Sequence, residues 1–303
     1  MAVTLNQLSS FLAVAREGSV SAAAEKLYVT QPSISAAVSA LARELGVDLT
    51  ERVGRGIGLT AAGEAFRPYA ADVLGLIDQG RKAAREAADV SMRSLRIVAV
   101  ATAAEFVVPS LLRSFTALHP EINLTLEVAN RAELFDRVLE HEVDVAIAGR
   151  PPADERIAGH SFLDNAIALI AAPGDPLAGA RPVRPEELAR RVWLMRETGS
   201  GTRLLVAEFL SDHDLRPQTL TLGSNGAIKA AVRLGLGLSL QSRVAVEHEL
   251  SDGTLAEIRV RGGLPRREWY ALHSATVPPR PAVEQFLAFA YGPDGRQAFE
   301  GRE

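Results

Sequence analysis

Along residues 5–17, Leu5, Leu8, Phe11, Leu12 and Ala15 follow a helical period that stops at Gly18, and Thr4-Leu-Asn-Gln7 ahead of them has the form of a capping box. A short alanine-rich helix over 21–27 comes next, and Tyr28, Val29 and Thr30 then interrupt the period. In the run that follows, Ile34, Val38, Leu41 and Leu45 recur at helical spacing and define one buried stripe. The opposite face carries Gln31, Pro32, Ser33, Ser35 and Ser39, with Arg43 further along. Thr30 suits an N-cap, and Pro32 falls in the first turn, where its missing N–H costs little. Between 49 and 59 the glycines 54, 56 and 58, interleaved with Arg52 and Arg55, suggest a short two-stranded wing.

From 61 to 90 the period lengthens into a single helix. Phe66, Val73, Gly80 and Ala87 lie seven apart, as do Tyr69, Leu76, Ala83 and Val90, which makes an a/d seam. Thirty residues span roughly 45 Å at about 1.5 Å each. Such a helix with little core of its own is expected to pair with a second copy of the chain, the alternative being a helix folded onto its own domain.

After residue 92 strand-like runs (95–101, 123–128, 143–148) alternate with helical patterns (105–118, 131–141), which argues for a parallel sheet with flanking helices. An apolar run at 166–171 and a proline- and glycine-rich crossover lead to a second set: strands at 192–195, 219–222 and 236–241 and helices at 202–213 and 225–234. The strand at 268–273 is expected to return to the first sheet, before a terminal helix near 281–290. The fold class read from this pattern is multidomain α and α/β. A winged helix-turn-helix occupies 1–60 and a linker or dimerisation helix 61–92. A two-lobed α/β module follows at 93–303, with lobe I about 93–165 and 267–303 and lobe II about 166–266.

Composition narrows the function classes. The 303 residues need two or three cores, and 47% hydrophobic with 23% charged residues describes a soluble globular chain. There is no cysteine, so neither disulfides nor thiolate metal sites are available. No secretion signal or membrane span is apparent, which points to the cytoplasm. The formal charge of −4 gives no global attraction to nucleic acid, so contact with DNA has to rest on local placement of Arg43, Arg52, Arg55 and a helix N-terminus. The six histidines lack metal-binding spacing, no G-x-S-x-G elbow or P-loop occurs, and the GxGxG of the wing has no βαβ unit around it, so no enzyme, metal or cofactor is expected.

Two candidate sites remain. Short side chains at the start of a second helix are what a helix-turn-helix inserts into the major groove, which makes Thr30, Gln31, Pro32, Ser33, Ser35, Ser39, Arg43, Arg52 and Arg55 the candidate surface for double-stranded DNA. An ordinary helical hairpin with a serine-rich face is the alternative. In the second lobe, Thr198, Ser200, Gly201, Thr202 and Arg203 join a strand to a helix, and this loop can receive an anion or simply cap the helix. Ligands of doubly wound sheets lie beyond the carboxyl ends of strands, where Thr102, Ala103, Asn130, Arg131, Arg150 and Asn225 fall. Arg131, Arg150 and Arg203 converging there suggest a small phosphorylated or carboxylated effector.

The run AAAEKLYVTQPSISAAVSALARELGVDL followed by ERVGRGIGLTAAGE resembles the N-terminal signature of LysR-type transcriptional regulators, with Thr50 departing from the usual phenylalanine. The segments AGRPP at 148–152, RETGSGTR at 196–203, SNGAIK at 224–229 and REWY at 267–270 are similar to the Calvin-cycle operon regulators of that family, with Gly226 departing from their glutamate. The resemblance implies a DNA-binding regulator and a dimer of dimers. It also implies a periplasmic-binding-protein-like effector module sensing a central-carbon metabolite. A two-lobed solute-binding protein, or a sensor for a non-phosphorylated effector, is the alternative.

Overall fold

The computed structural model describes residues 3–54, 56–89, 92–179 and 181–299. The chain divides into two compact units, one of Met1–Val90 with Leu139–Glu142 and Ser274–Arg280, the other of Ser91–Val138, Val143–His273 and Pro281–Glu303.

The first unit begins with α1 (Leu5–Glu17), whose capping box between Thr4 and Gln7 is formed and whose C-cap is a left-handed Gly18. Next come α2 (Val20–Leu27) and α3 (Gln31–Leu45), both capped by a side-chain hydroxyl, from Ser19 and Thr30 respectively. Leu8, Phe11, Val14, Ala23, Ala24, Ile34, Val38, Leu41 and Leu49 form their common core. Of the four residues in the expected stripe of α3, Leu45 does not join it. It lies at the helix end, 36% exposed, and Ala37 is buried in its place because the core covers only the middle turns. β1 (Thr50–Val53) and β2 (Gly56–Leu59) pair antiparallel as a wing. The Ile57 amide donates to the Gly18 carbonyl at 2.8 Å, tying the wing to the end of α1.

α4 (Ala61–Ala88) is the long helix. Val90, the last position of its expected seam, lies outside the described residues. One face is buried through Ala70, Ala71, Gly75, Gln79 and Glu86. The short returning segments meet this face. His141 lies within 2.8 Å of Asp72, and the Arg280 guanidinium is spent on Gln79, at 2.6 Å, and on Glu86. The other face leaves Tyr69, Val73, Leu76 and Ile77 between 46 and 69% exposed.

The second unit is built as two lobes, and among the described residues the second has a hydrophobic cluster on each side of β7 (Ile167–Ala171). The first lobe is built on a five-stranded sheet of order β4-β3-β5-β12-β6, made by β3 (Ser94–Val100), β4 (Asn123–Ala129), β5 (Val145–Ala148), β6 (Ile157–Asn165) and β12 (Arg267–Ser274). β3 runs parallel to β4 and β5, whereas β12 runs antiparallel to β5, Tyr270 facing Ala148. The helices around it are α5 (Ala101–Phe106), α6 (Val108–Leu118), α7 (Arg131–Leu139), α11 (Pro281–Tyr291) and α12 (Pro293–Gln297). Phe115 packs edge-on against Phe286 at 5.1 Å in the core of this lobe.

One helix was expected over 105–118, and two are found. Pro109 sits at the first turn of α6, where a helix starts more readily than it continues. β6 was not foreseen, since IAGHSFLDN lacks clean alternation. At its Gly159, φ is +143° and a Cβ would stand 2.1 Å from the Ala271 carbonyl oxygen, so the strand approaches β12 as only glycine allows.

The second lobe is built on β7, flanked antiparallel by β10 (Ser239–Ser242) and β11 (Ala256–Glu257), and on the parallel pair β8 (Trp193–Met195) and β9 (Thr219–Thr221). Its helices are α8 (Gly201–Asp212), α9 (Asn225–Arg233) and the short α10 (Glu247–Ser251). Trp193 and Phe209 lie in one of its two clusters, ring centroids 5.6 Å apart. The chain passes between the lobes at 165–167 and again ahead of β12, so the carboxyl ends of β3, β4 and β5 face a cleft closed on the far side by the start of α8.

Candidate functional site

In the first unit, α3 is set by its cap. Thr30 Oγ1 accepts from the Ser33 amide at 3.4 Å and lies 2.8 Å from Ser33 Oγ, which fixes the first turn. Burying Ile34, Ala37, Val38 and Leu41 turns Gln31, Pro32, Ser33, Ser35, Ser39 and Arg43 outward, all exposed on one side. Arg52 is exposed on the wing, and Arg55 lies outside the described residues. Sequence reasoning passed over Tyr28. This residue holds a left-handed conformation at φ +56° between α2 and α3 with its side chain 96% exposed, beside the same face. A small polar surface at a free helix N-terminus can approach base edges and phosphates.

In the second unit, the cleft between the two lobes is a cavity of ≈ 250 Å³. That is below the roughly 300–1,000 Å³ of sites for drug-sized ligands and suits a small metabolite. Thr102, Asn130, Arg131, Ser200, Gly201 and Thr202 line it, as the strand-end rule places them. Arg196, Glu197, Asn165, Ser242, Arg267 and Trp269 line it as well.

The remaining expected residues stand elsewhere. Ala103 is fully buried in the core of the first lobe. Thr198 is exposed and absent from the lining. Arg150 contributes only its carbonyl, which accepts from Arg131 at 2.6 Å. Arg203 lies on the outer side of α8, its guanidinium donating to the Arg196 carbonyl at 2.9 Å and to Thr221 Oγ1 at 3.2 Å. Asn225 sits beneath the cleft, 4% exposed.

The floor is a closed network. Arg196, itself 6% exposed, donates to both carboxylate oxygens of Glu197, at 2.7 and 2.9 Å, and to Asn225 Oδ1 at 2.6 Å. Asn225 Nδ2 in turn donates to Thr102 Oγ1 at 2.9 Å. At the mouth, the Arg131 amide donates to the Gly199 carbonyl at 3.1 Å. Gly199 has φ +87°, and a Cβ there would stand 3.2 Å from Asn130 Oδ1, so this approach needs glycine.

Two guanidiniums at the mouth are disposed differently from Arg196. Arg267 meets Glu208 of α8 at 2.6 Å. Arg131 lies over the Phe135 ring, 4.6 Å from its centroid, and among the described residues no carboxylate is within ion-pair distance of it. Burial, and after it the like charge of Arg267, lowers the pKa of Arg131 from the ordinary arginine value, with Glu208 opposing. Two neighbouring cations, of which one has no carboxylate at ion-pair distance among the described residues, beside the N-terminus of α8, are a candidate anion-accepting corner.

Comparison with known proteins identifies the family of both parts of the chain. Residues 5–64 match the bacterial regulatory helix-turn-helix protein, lysR family, and residues 88–291 match the LysR substrate binding domain. The chain is 37% identical over 293 residues to a RuBisCO operon transcriptional regulator of Allochromatium vinosum, covering 95% of this chain and 96% of that protein. It is 33% identical to the transcriptional activator CmpR of Synechocystis, with 96% of each covered. Among solved structures, the regulatory domain of Synechocystis CcmR in complex with 2-PG matches with TM-score 0.62 and 32% identity, over 65% of this chain and 95% of that one. Full-length OxyR of Pseudomonas aeruginosa shares the fold over 96% of this chain and 95% of that one, at TM-score 0.69 and 24% identity. The resemblance to Calvin-cycle operon regulators drawn from the motifs therefore holds across the chain, and among the described residues no helix is long and apolar enough to cross a membrane.

Proposed function

The chain belongs to the LysR family of bacterial transcriptional regulators, and on that premise we propose that it controls transcription in response to a small phosphorylated or carboxylated metabolite held at Arg131 and Arg267. As a member of the family it is a DNA-binding regulator that carries a small-molecule effector domain. The observation that carries the anionic effector is the pair of guanidiniums at the cleft mouth, of which Arg131 has no carboxylate partner among the described residues. The bound 2-PG of the CcmR regulatory domain is an anion of the same class. Having no cysteine, the chain does not use a thiol for sensing.

Gln31, Pro32, Ser33, Ser35 and Ser39 on α3 read the major groove in this proposal, while Arg43 and the wing arginines Arg52 and Arg55 meet phosphates. The exposed stripe of Tyr69, Val73 and Leu76 on α4 pairs two copies. A head with so little positive charge binds weakly alone, and pairing supplies the missing affinity. An effector shifts the regulator by preferring one arrangement of the two lobes.

Thermal shift of the full chain against 2-phosphoglycolate, other sugar phosphates and keto acids tests this, with an uncharged sugar as control. A ligand at 100 times its dissociation constant stabilises by about 2.7 kcal/mol. An anion should raise the midpoint of the parent and not that of Arg131→Ala. Equal shifts in both proteins, or none with any anion, would remove the assignment.

A further inference from the structure

Three cations line the cleft, and their counter-charges differ in kind. Arg196 is buried and held by its chain neighbour Glu197 and by Asn225, so its charge is met within the floor. Arg131 has no carboxylate at ion-pair distance among the described residues. Arg267 has one, Glu208, which comes from α8 on the opposite side of the cleft and does not line the cavity. The Arg267 side chain is 21% exposed and that of Glu208 is 50% exposed. A half-exposed ion pair of this kind contributes little to stability, so it is readily given up. A phosphate or carboxylate between two guanidiniums makes stronger, charge-assisted hydrogen bonds and relieves their mutual repulsion.

We propose that Glu208 is a built-in competitor for the anionic end of the effector: its carboxylate holds Arg267 across the cleft in the empty protein and yields that arginine to the ligand. This rests on the reading of the cleft as an anion site. Glu208 is then a specificity- and threshold-setting residue. It weakens binding of every anion, and it penalises monovalent anions most, because they replace its single charge with no gain. Release of Glu208 also removes one of the ties between lobes. The Arg131–Gly199 amide contact at 3.1 Å and the Asn225–Thr102 contact at 2.9 Å are left to hold the closed form. Occupancy is thereby coupled to lobe arrangement through a change of partner at one arginine.

Isothermal titration of the full chain with 2-phosphoglycolate and with inorganic phosphate, in parent, Glu208→Gln, Asp212→Asn and Arg131→Ala, tests the proposal. Asp212 lies one turn further along α8, so its neutral variant makes the same change in net charge away from Arg267. Glu208→Gln should bind both anions about two- to fivefold more tightly than the parent, the gain expected when an exposed counter-charge of ordinary strength is removed. Asp212→Asn should match the parent, and Arg131→Ala should bind weakly. If Glu208→Gln binds no more tightly than the parent while Arg131→Ala is weakened, Glu208 is not a competitor and the anion site stands. If both neutral variants tighten alike, the effect is one of net charge and the proposal fails. If no protein in the set binds either anion, the cleft reading itself falls and the role of Glu208 with it.

Discussion

Asn225 and Thr102 join the two lobes beneath the cleft, the amide of one donating to the hydroxyl of the other at 2.9 Å while the same side chain accepts from Arg196 at 2.6 Å. Both residues are buried, so the amide is fixed in one orientation by a donor on one side and an acceptor on the other. Asn225→Leu keeps the approximate volume and deletes both bonds, leaving a buried guanidinium nitrogen and a hydroxyl unmatched. The expected loss is about 1–3 kcal/mol in urea unfolding of the ligand-free chain. Thr102→Val should cost less, since it leaves the Arg196 bond in place. A double variant no worse than Asn225→Leu alone would show that the two residues act through one contact.

The free face of α4 gives a second prediction. Tyr69 is 69% exposed, Val73 46%, Leu76 50% and Ile77 54%, so replacing Val73 or Leu76 by glutamate removes little packing within the single chain and leaves the charge in water. Its stability should move by less than about 0.5 kcal/mol. The assembly should not survive, because one charge per copy is then buried in the seam. Sedimentation velocity should show a smaller species for Leu76→Glu at concentrations where the parent is paired, and an unchanged profile would place the interface elsewhere.

Periodicity made the helices of the first unit legible, down to the Thr30 cap and the exposed serines, because each local preference there agrees with the packing. The cleft was legible only where its residues obey the rule that ligands lie beyond the carboxyl ends of parallel strands, as Thr102, Asn130 and Arg131 do. Arg267 and Trp269 escape that rule because β12 is antiparallel, and its amino end lies beside the carboxyl end of β5. Asn165 ends β6 at the crossing to β7, and Ser242 ends β10 opposite Ile167, so their place in the cleft depends on which strands pair. Arg203 departs from the expected site for a different reason. Its position after a glycine-rich loop suggests a ligand, but the helix turns it outward, where the Arg196 carbonyl and Thr221 occupy it.

On the DNA contacts proposed above, the exposed face of α3 and the wing should separate two kinds of effect. Gln31 lies in the first turn of α3 and Arg52 on β1, paired with Ile57. Gln31→Ala should lose about 1–3 kcal/mol at the operator position it reads, with little effect on non-operator DNA. Arg52→Ala should weaken all sequences alike and reduce the slope of log affinity against log salt by about one per head. Gel-shift titration at three salt concentrations on operator and scrambled duplexes distinguishes them. A uniform loss for Gln31→Ala would remove it from the base-reading set.

A further prediction concerns acid stability of the second lobe. Asp175 closes a turn by accepting from the Leu177 amide at 2.9 Å and is gripped by both terminal nitrogens of Arg191, its own side chain being 4% exposed. Desolvation works against the carboxylate, yet the bonds from Arg191 and the Leu177 amide outweigh it and lower the Asp175 pKa below the usual aspartate value. A carboxylate whose folded pKa is depressed contributes stability that is fully present above the unfolded value, about 3.9, and is lost as pH falls through the folded one. Arg191→Ala should therefore cost about 1.5–3 kcal/mol at neutral pH, the range for a hydrogen bond to a charged group. That deficit should shrink below the ordinary aspartate range, where the parent protonates Asp175 as well. Urea midpoints of the two proteins from pH 7 down to pH 3 measure it, and a deficit that stays constant over that range would assign the effect of Arg191 to packing alone.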